Sequence, residues 1–122
     1  MILLQASNYT NGAERSPDVS WVRRDRWNNL SAEQKRKFPP LCPDFVIELC
    51  SETDSIKILR LKMQEYLDNG AKLGWLIAPK TQYVEIYRPG RQVEIVQNPA
   101  PLSGEDILPG FVLNLNSVFN SI

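Results

Sequence analysis

The stretch CPDFVIELCSETDSIKILRLKMQEYLDNGAKLGWLIAP, residues 42–79, decides the fold. Pro43-Asp44 leads into FVIELC, a run that is apolar throughout except for Glu48, the pattern of a central strand buried on both faces. In residues 54–69, Ile56, Leu59, Met63 and Leu67 recur at three- and four-residue spacing and Tyr66 joins them, which predicts a helix with one apolar face. Asp54 is the expected N-terminal cap, and Asn69-Gly70 the expected stop. LGWLIAP (73–79) follows at once as a second buried strand that Pro79 ends. A helix between two such strands implies a crossover connection and a mixed sheet.

Upstream, Ser16-Pro17-Asp18 opens VSWV, and residues 18–23 read as a strand running into the charged stretch Arg23 to Arg26. Ser31 followed three residues later by Gln34 is a capping-box pattern, predicting a short helix that Pro39-Pro40 stops. Downstream, YVEIYRPG (83–90) and QVEIV (92–96) alternate about Arg88-Pro89-Gly90-Arg91, a hairpin with one solvated face. FVLNLNSVF (111–119) alternates more weakly and then turns. The expected architecture is one α/β domain over residues 1–122: a mixed central sheet flanked by helices, with an antiparallel hairpin extension.

Composition bounds the chemistry. The 122 residues suffice for one core without disulfide or metal staples, and 43% hydrophobic with 23% charged residues is ordinary globular usage. Fourteen basic and fourteen acidic residues cancel, so the average carries no strongly basic nucleic-acid footprint. The absence of histidine excludes Ser-His-Asp triads, Cys-His pairs and His-based zinc sites. If their segment is extended, Cys42 and Cys50 lie roughly 26 Å apart along it, too far for a disulfide. Reduced thiols, no apolar run of membrane-spanning length, and a start without a basic n-region point to a cytoplasmic protein.

Glu48 is the informative residue, because a carboxylate inside so apolar a strand is costly unless paired, protonated or metal-bound. Counting by twos, Asp44, Val46, Glu48 and Cys50 share one face. If strands 18–23 and 45–50 are antiparallel neighbours, Asp18 approaches Glu48 and leaves Asp44 near the other end. Two converging carboxylates suit Mg²⁺, which takes oxygen ligands and keeps much of its water. The structural alternative pairs Glu48 with Arg23, Arg24 or Lys62 and makes both Pro-Asp steps simple turns. Lys62 lies beside the apolar helix face, either solvated or reaching the strand end with its long stem. The clusters 23–26 and 35–37 read as solvated surface or phosphate contacts, and the aromatic residues as packing.

RSPDVSWV (15–22), CPDFVIELCS (42–51), LKMQEYLDNGAKLGWLIAP (61–79) and YVEIYRPG (83–90), in this order, resemble the Uma-type putative restriction endonuclease family of the PD-(D/E)XK nuclease-like superfamily. The similarity spans roughly residues 12–120. It implies a Mg²⁺-dependent (or Mn²⁺-dependent) endonuclease cutting DNA phosphodiesters, with Asp18 and Glu48 as metal carboxylates and Asp44 as an extra ligand or a residue leading into the strand. Cys50 occupies the usual lysine position two after Glu48, and Lys62 on the following helix matches the family's compensating lysine. Only 16 residues precede Pro17. The resemblance therefore implies a member shortened at the N-terminus, lacking the family's N-terminal helix and early strands and inviting homodimerisation. The alternatives of another class are a catalytically silent relic or interaction domain with the same fold, and a protein-binding module built on the hairpin 83–96.

Overall fold

The computed structural model describes residues 2–4, 7–8, 14–15, 17–36, 40–97 and 101–116. In chain order the strands and helices are β1 (Ile2–Leu4), β2 (Ser7–Asn8), β3 (Glu14–Arg15), β4 (Val19–Val22), α1 (Arg24–Asn28), α2 (Ala32–Arg36), β5 (Phe45–Leu49), α3 (Ile56–Asp68), β6 (Leu73–Ala78), β7 (Tyr83–Tyr87), β8 (Glu94–Gln97), β9 (Leu102–Ser103) and β10 (Val112–Leu113). Among the described residues six strands form the main sheet, in the order β1-β4-β5-β6-β7-β8. The β5–β6 pair, joined through α3, is parallel, and the other pairs are antiparallel. The mixed sheet, the crossover helix and the hairpin match the sequence reading.

Several local expectations change. An early strand does exist, because β1 pairs with β4. The stretch after Val22 turns into α1, a helix with no buried residue and hence no apolar period to reveal it. The capping box at α2 forms as read: the Ser31 amide donates to Gln34 Oε1 at 2.8 Å, and the Gln34 amide to Ser31 Oγ at 3.1 Å. At α3 the cap is Ser55, not Asp54, whose carboxylate instead accepts from the Ser51 amide at 2.8 Å in the turn before the helix.

The sheet is covered on both faces. Leu59, Met63 and Tyr66 of α3 pack on Val46 and Leu76. The helix comes close because β6 carries Gly74 beneath it, where an added Cβ would stand 2.6 Å from Met63 Cε and 3.1 Å from Val46 Cγ2. On the opposite face Phe45, Trp75 and Ile77 meet a C-terminal segment that brings Leu102, Phe111 and Leu115. Phe45 and Trp75 meet edge to face with centroids 4.8 Å apart. Each such side chain contributes about 1.5–3 kcal/mol by leaving water.

The face of β7 expected to be solvated is also covered. Glu85 is 1% exposed, and its carboxylate accepts from Arg60 Nη2 at 2.6 Å, from Tyr87 Oη at 2.6 Å and from Tyr83 Oη. Burial opposes its ionisation, but these donors outweigh that and hold Glu85 below the usual carboxylate range. Helix α3 is thus pinned to the sheet by an ion pair on one flank. Among the described residues, no helix is long and apolar enough to cross a membrane.

Candidate active site

Strands β4 and β5 pair with Val19 opposite Ile47 and Ser20 opposite Val46, so the next step of the register sets Asp18 opposite Glu48. Alternation turns both carboxylates towards the face that α3 covers. Asp18 is exposed at the rim, and its Oδ2 accepts a hydrogen bond from the Leu49 amide at 2.7 Å. Glu48 is 5% exposed, and its Oε1 accepts from Tyr66 Oη at 2.6 Å.

Burial is the largest influence on Glu48 and raises its pKa to about 7. The Tyr66 hydrogen bond and the Lys62 charge pull it down, while the Asp18 carboxylate beside it pushes it up. Lys62 stands one turn before Tyr66 on the same side of α3 and is half-buried. Its charge reaches Glu48 and also Asp54 without a direct ion pair to either. The structure therefore brings Asp18, Glu48 and Lys62 together. It also adds Tyr66, which the sequence reading counted only as part of an apolar face. Its signal was present in the four-residue spacing from Lys62.

The structural alternative for Glu48 forms in part: the Lys62 charge acts on it, but among the described residues no arginine pairs with it. Arg23 pairs with Asp25 at 2.8 Å, and Glu48 is hydrogen-bonded by Tyr66 and lies within hydrogen-bonding reach of Asp18. Asp44, read as an extra metal ligand, does not join the pair and is the residue that leads into the strand. Its carboxylate, 3% exposed, accepts from Arg26 Nη1 at 2.7 Å and from the Arg23 amide at 2.7 Å. Four residues of strand separate it from Glu48, about 13 Å. The distance along the strand and the arginine partner make the Asp44 site separate.

Neither thiol offers a nucleophile. Burial pushes Cys42 up to about 12 and also raises Cys50, which carries no cation into the position two after Glu48. Among the described residues no group of three or more His, Cys, Asp or Glu side chains is placed to hold a metal ion. The donor set is thus two carboxylates, hard oxygen ligands that fit an ion retaining much of its hydration, as Mg²⁺ does. Their mutual repulsion is what a divalent cation would relieve. At the end of β5 an open cleft of about 380 Å³ is lined by Leu49, Cys50, Thr53, Pro79 and Lys80. A larger one, about 530 Å³, lies at the Asp44 end among Arg23, Arg24, Lys72 and Asp106, away from the acidic pair.

The family model "Uma2: Putative restriction endonuclease" matches residues 4–116. The chain belongs to the Uma2 family. The match takes in Asp18, Glu48, Lys62 and Tyr66, and almost all of the described sheet. Among solved structures, the chain is similar to the crystal structure of a "putative nuclease belonging to DUF820" from Anabaena variabilis ATCC 29413. The two share 22% identity and superpose with a TM-score of 0.79 over 97% of this chain and 67% of the other. The Uma2 chain thus has a nuclease-like α/β fold. No curated protein matches it.

Proposed function

We propose that the protein is a Mg²⁺-dependent endonuclease that hydrolyses phosphodiester bonds in DNA. One observation carries the reading: two carboxylates of adjacent strands, Asp18 and Glu48, stand side by side beneath the helix that presents Lys62. Family membership and the nuclease-like fold support the same reaction class.

In this reading Asp18 and Glu48 hold the ion, and Asp44 takes no part. A bound divalent cation supplies Lewis acidity at the phosphate and lowers the pKa of a water. Glu48 must be ionised to serve; burial opposes that state and the Lys62 charge favours it. Lys62 orients the attacking water, and its positive charge offsets charge growing on the phosphate. Placing the reaction in a homodimer is part of the same proposal, supported by the exposed Val93 and Ile95 at the sheet's β8 edge.

Titration of Mg²⁺ and Mn²⁺ in a plasmid-nicking assay tests the reading with Asp18→Ala, Glu48→Ala and Lys62→Ala beside the wild type. Metal-dependent nicking is expected from the wild type alone, with losses of at least about 100-fold in each variant. Nicking that survives all three substitutions would show that this site does not carry it, and none from the wild type at any metal concentration would leave the catalytically silent scaffold as the correct description.

A further inference from the structure

One oxygen of each carboxylate is held by a group outside the pair, and the two carboxylates lie within hydrogen-bonding reach of each other. Asp18 Oδ2 accepts from the Leu49 amide at 2.7 Å, and Glu48 Oε1 from Tyr66 Oη at 2.6 Å. The second bond is well sheltered, since Tyr66 is 1% and Glu48 5% exposed, so water competes little for either partner. The phenol cannot follow a rotating carboxylate far. Its ring packs among Cys42, Val46, Met63 and Leu76, and α3 is held down by the close approach at Gly74 and by the Arg60–Glu85 pair.

Resting on the proposed metal-dependent reading, we infer that Tyr66 is a positioning residue that sets metal selectivity: its hold on Glu48 Oε1 limits this carboxylate to one-oxygen ligation and so favours Mg²⁺ over Ca²⁺. The two ions differ in what they ask of a carboxylate. Mg²⁺ takes octahedral coordination at 2.0–2.1 Å and keeps several waters, so one oxygen from each acid satisfies it. Ca²⁺ takes six to eight oxygens at 2.3–2.6 Å and gains from a carboxylate that binds through both. Turning both Glu48 oxygens to an ion would make Oε1 share its lone pairs between the ion and the buried Tyr66 hydroxyl and so weaken this bond. Asp18 is limited in the same way by a backbone amide, which no side-chain change removes. Tyr66 is therefore the replaceable half of the device.

The test is calorimetric binding of MgCl₂ and of CaCl₂ to the wild type, Glu48→Gln and Tyr66→Phe, with circular dichroism to verify folding. Wild type should bind Mg²⁺ in preference to Ca²⁺, and Glu48→Gln should lose both. In Tyr66→Phe, Mg²⁺ affinity should fall about 10-fold while Ca²⁺ affinity holds or rises, so that the preference narrows or inverts. A wild type that binds neither ion through Glu48 overturns the metal-dependent reading and this inference together. Glu48-dependent binding with an unchanged Mg²⁺/Ca²⁺ ratio in Tyr66→Phe overturns the inference alone. Should Tyr66→Phe not fold, infrared spectra of the wild type labelled with ¹³C-glutamate decide. One-oxygen carboxylate splitting with Mg²⁺ is expected, and two-oxygen splitting overturns the inference.

Discussion

Asp18 fastens the end of the strand that carries its partner: its carboxylate takes the Leu49 amide at 2.7 Å, one residue beyond Glu48. The residue thus has a structural duty alongside the chemical one, and two substitutions separate them. Asp18→Asn retains an oxygen acceptor and should unfold in urea within about 0.5 kcal/mol of the wild type, whereas Asp18→Ala should lose about 1 kcal/mol. Both should abolish Mg²⁺-dependent nicking, since neither carries the charge. Equal stability losses in the two variants would show that the carbonyl-for-carboxylate exchange does not preserve the bond.

Glu48 should make the protein less stable as pH rises through neutrality. Burial lifts its folded pKa to about 7 from an ordinary value of 4.5, so between these values the native state holds a proton that the unfolded chain has released. The contribution is complete below about pH 4.5 and is lost as pH climbs to 7, by at most about 1.4 kcal/mol per pH unit. Urea unfolding at pH 5 and pH 8 should show that Glu48→Gln removes this slope and gains stability at the higher pH, while losing metal binding. Metal affinity should move the opposite way in the wild type, rising with pH until Glu48 is fully ionised. A Glu48→Gln protein with the wild-type pH slope would contradict the assignment.

The Arg60–Glu85 pair should matter for stability and not for chemistry. Removing Arg60 leaves a carboxylate 2% exposed without its cation, although Tyr83 and Tyr87 still donate to it. The guanidinium itself is 46% exposed, which tempers the cost of a fully buried break to about 2 kcal/mol. Thermal and urea unfolding of Arg60→Ala measure it. Nicking per folded molecule should stay within about threefold of wild type, because the pair lies on the flank of α3 away from Glu48. Large loss of activity at full folding would place Arg60 in the catalytic machinery instead.

The segment β5–α3–β6 was legible because its periods are long enough to count. Four apolar neighbours of Glu48 mark a buried strand, and the α3 face repeats over three turns. β1 was missed since three residues, Ile2–Leu4, show no period. α1 was missed because it buries nothing. At the site, counting by twos could not say that Arg26 would claim the Asp44 carboxylate. Glu85 was read within a half-solvated hairpin because the helix flank that covers it comes from 25 residues away. Tyr66 exposes the deeper limit. Its ring obeys the apolar period while its hydroxyl obeys a tertiary contact, and only the first of these is written locally.

The C-terminal segment that roofs Phe45 and Trp75 has a consequence for the order of events during synthesis. The main sheet is arranged in chain order, so each strand can dock beside the one made just before it, with mostly short-range closures. Its second face has to wait until Leu102, Phe111 and Leu115 leave the ribosome. Until then the nascent chain carries a bare aromatic surface, and that interval is when it most needs a chaperone's shelter.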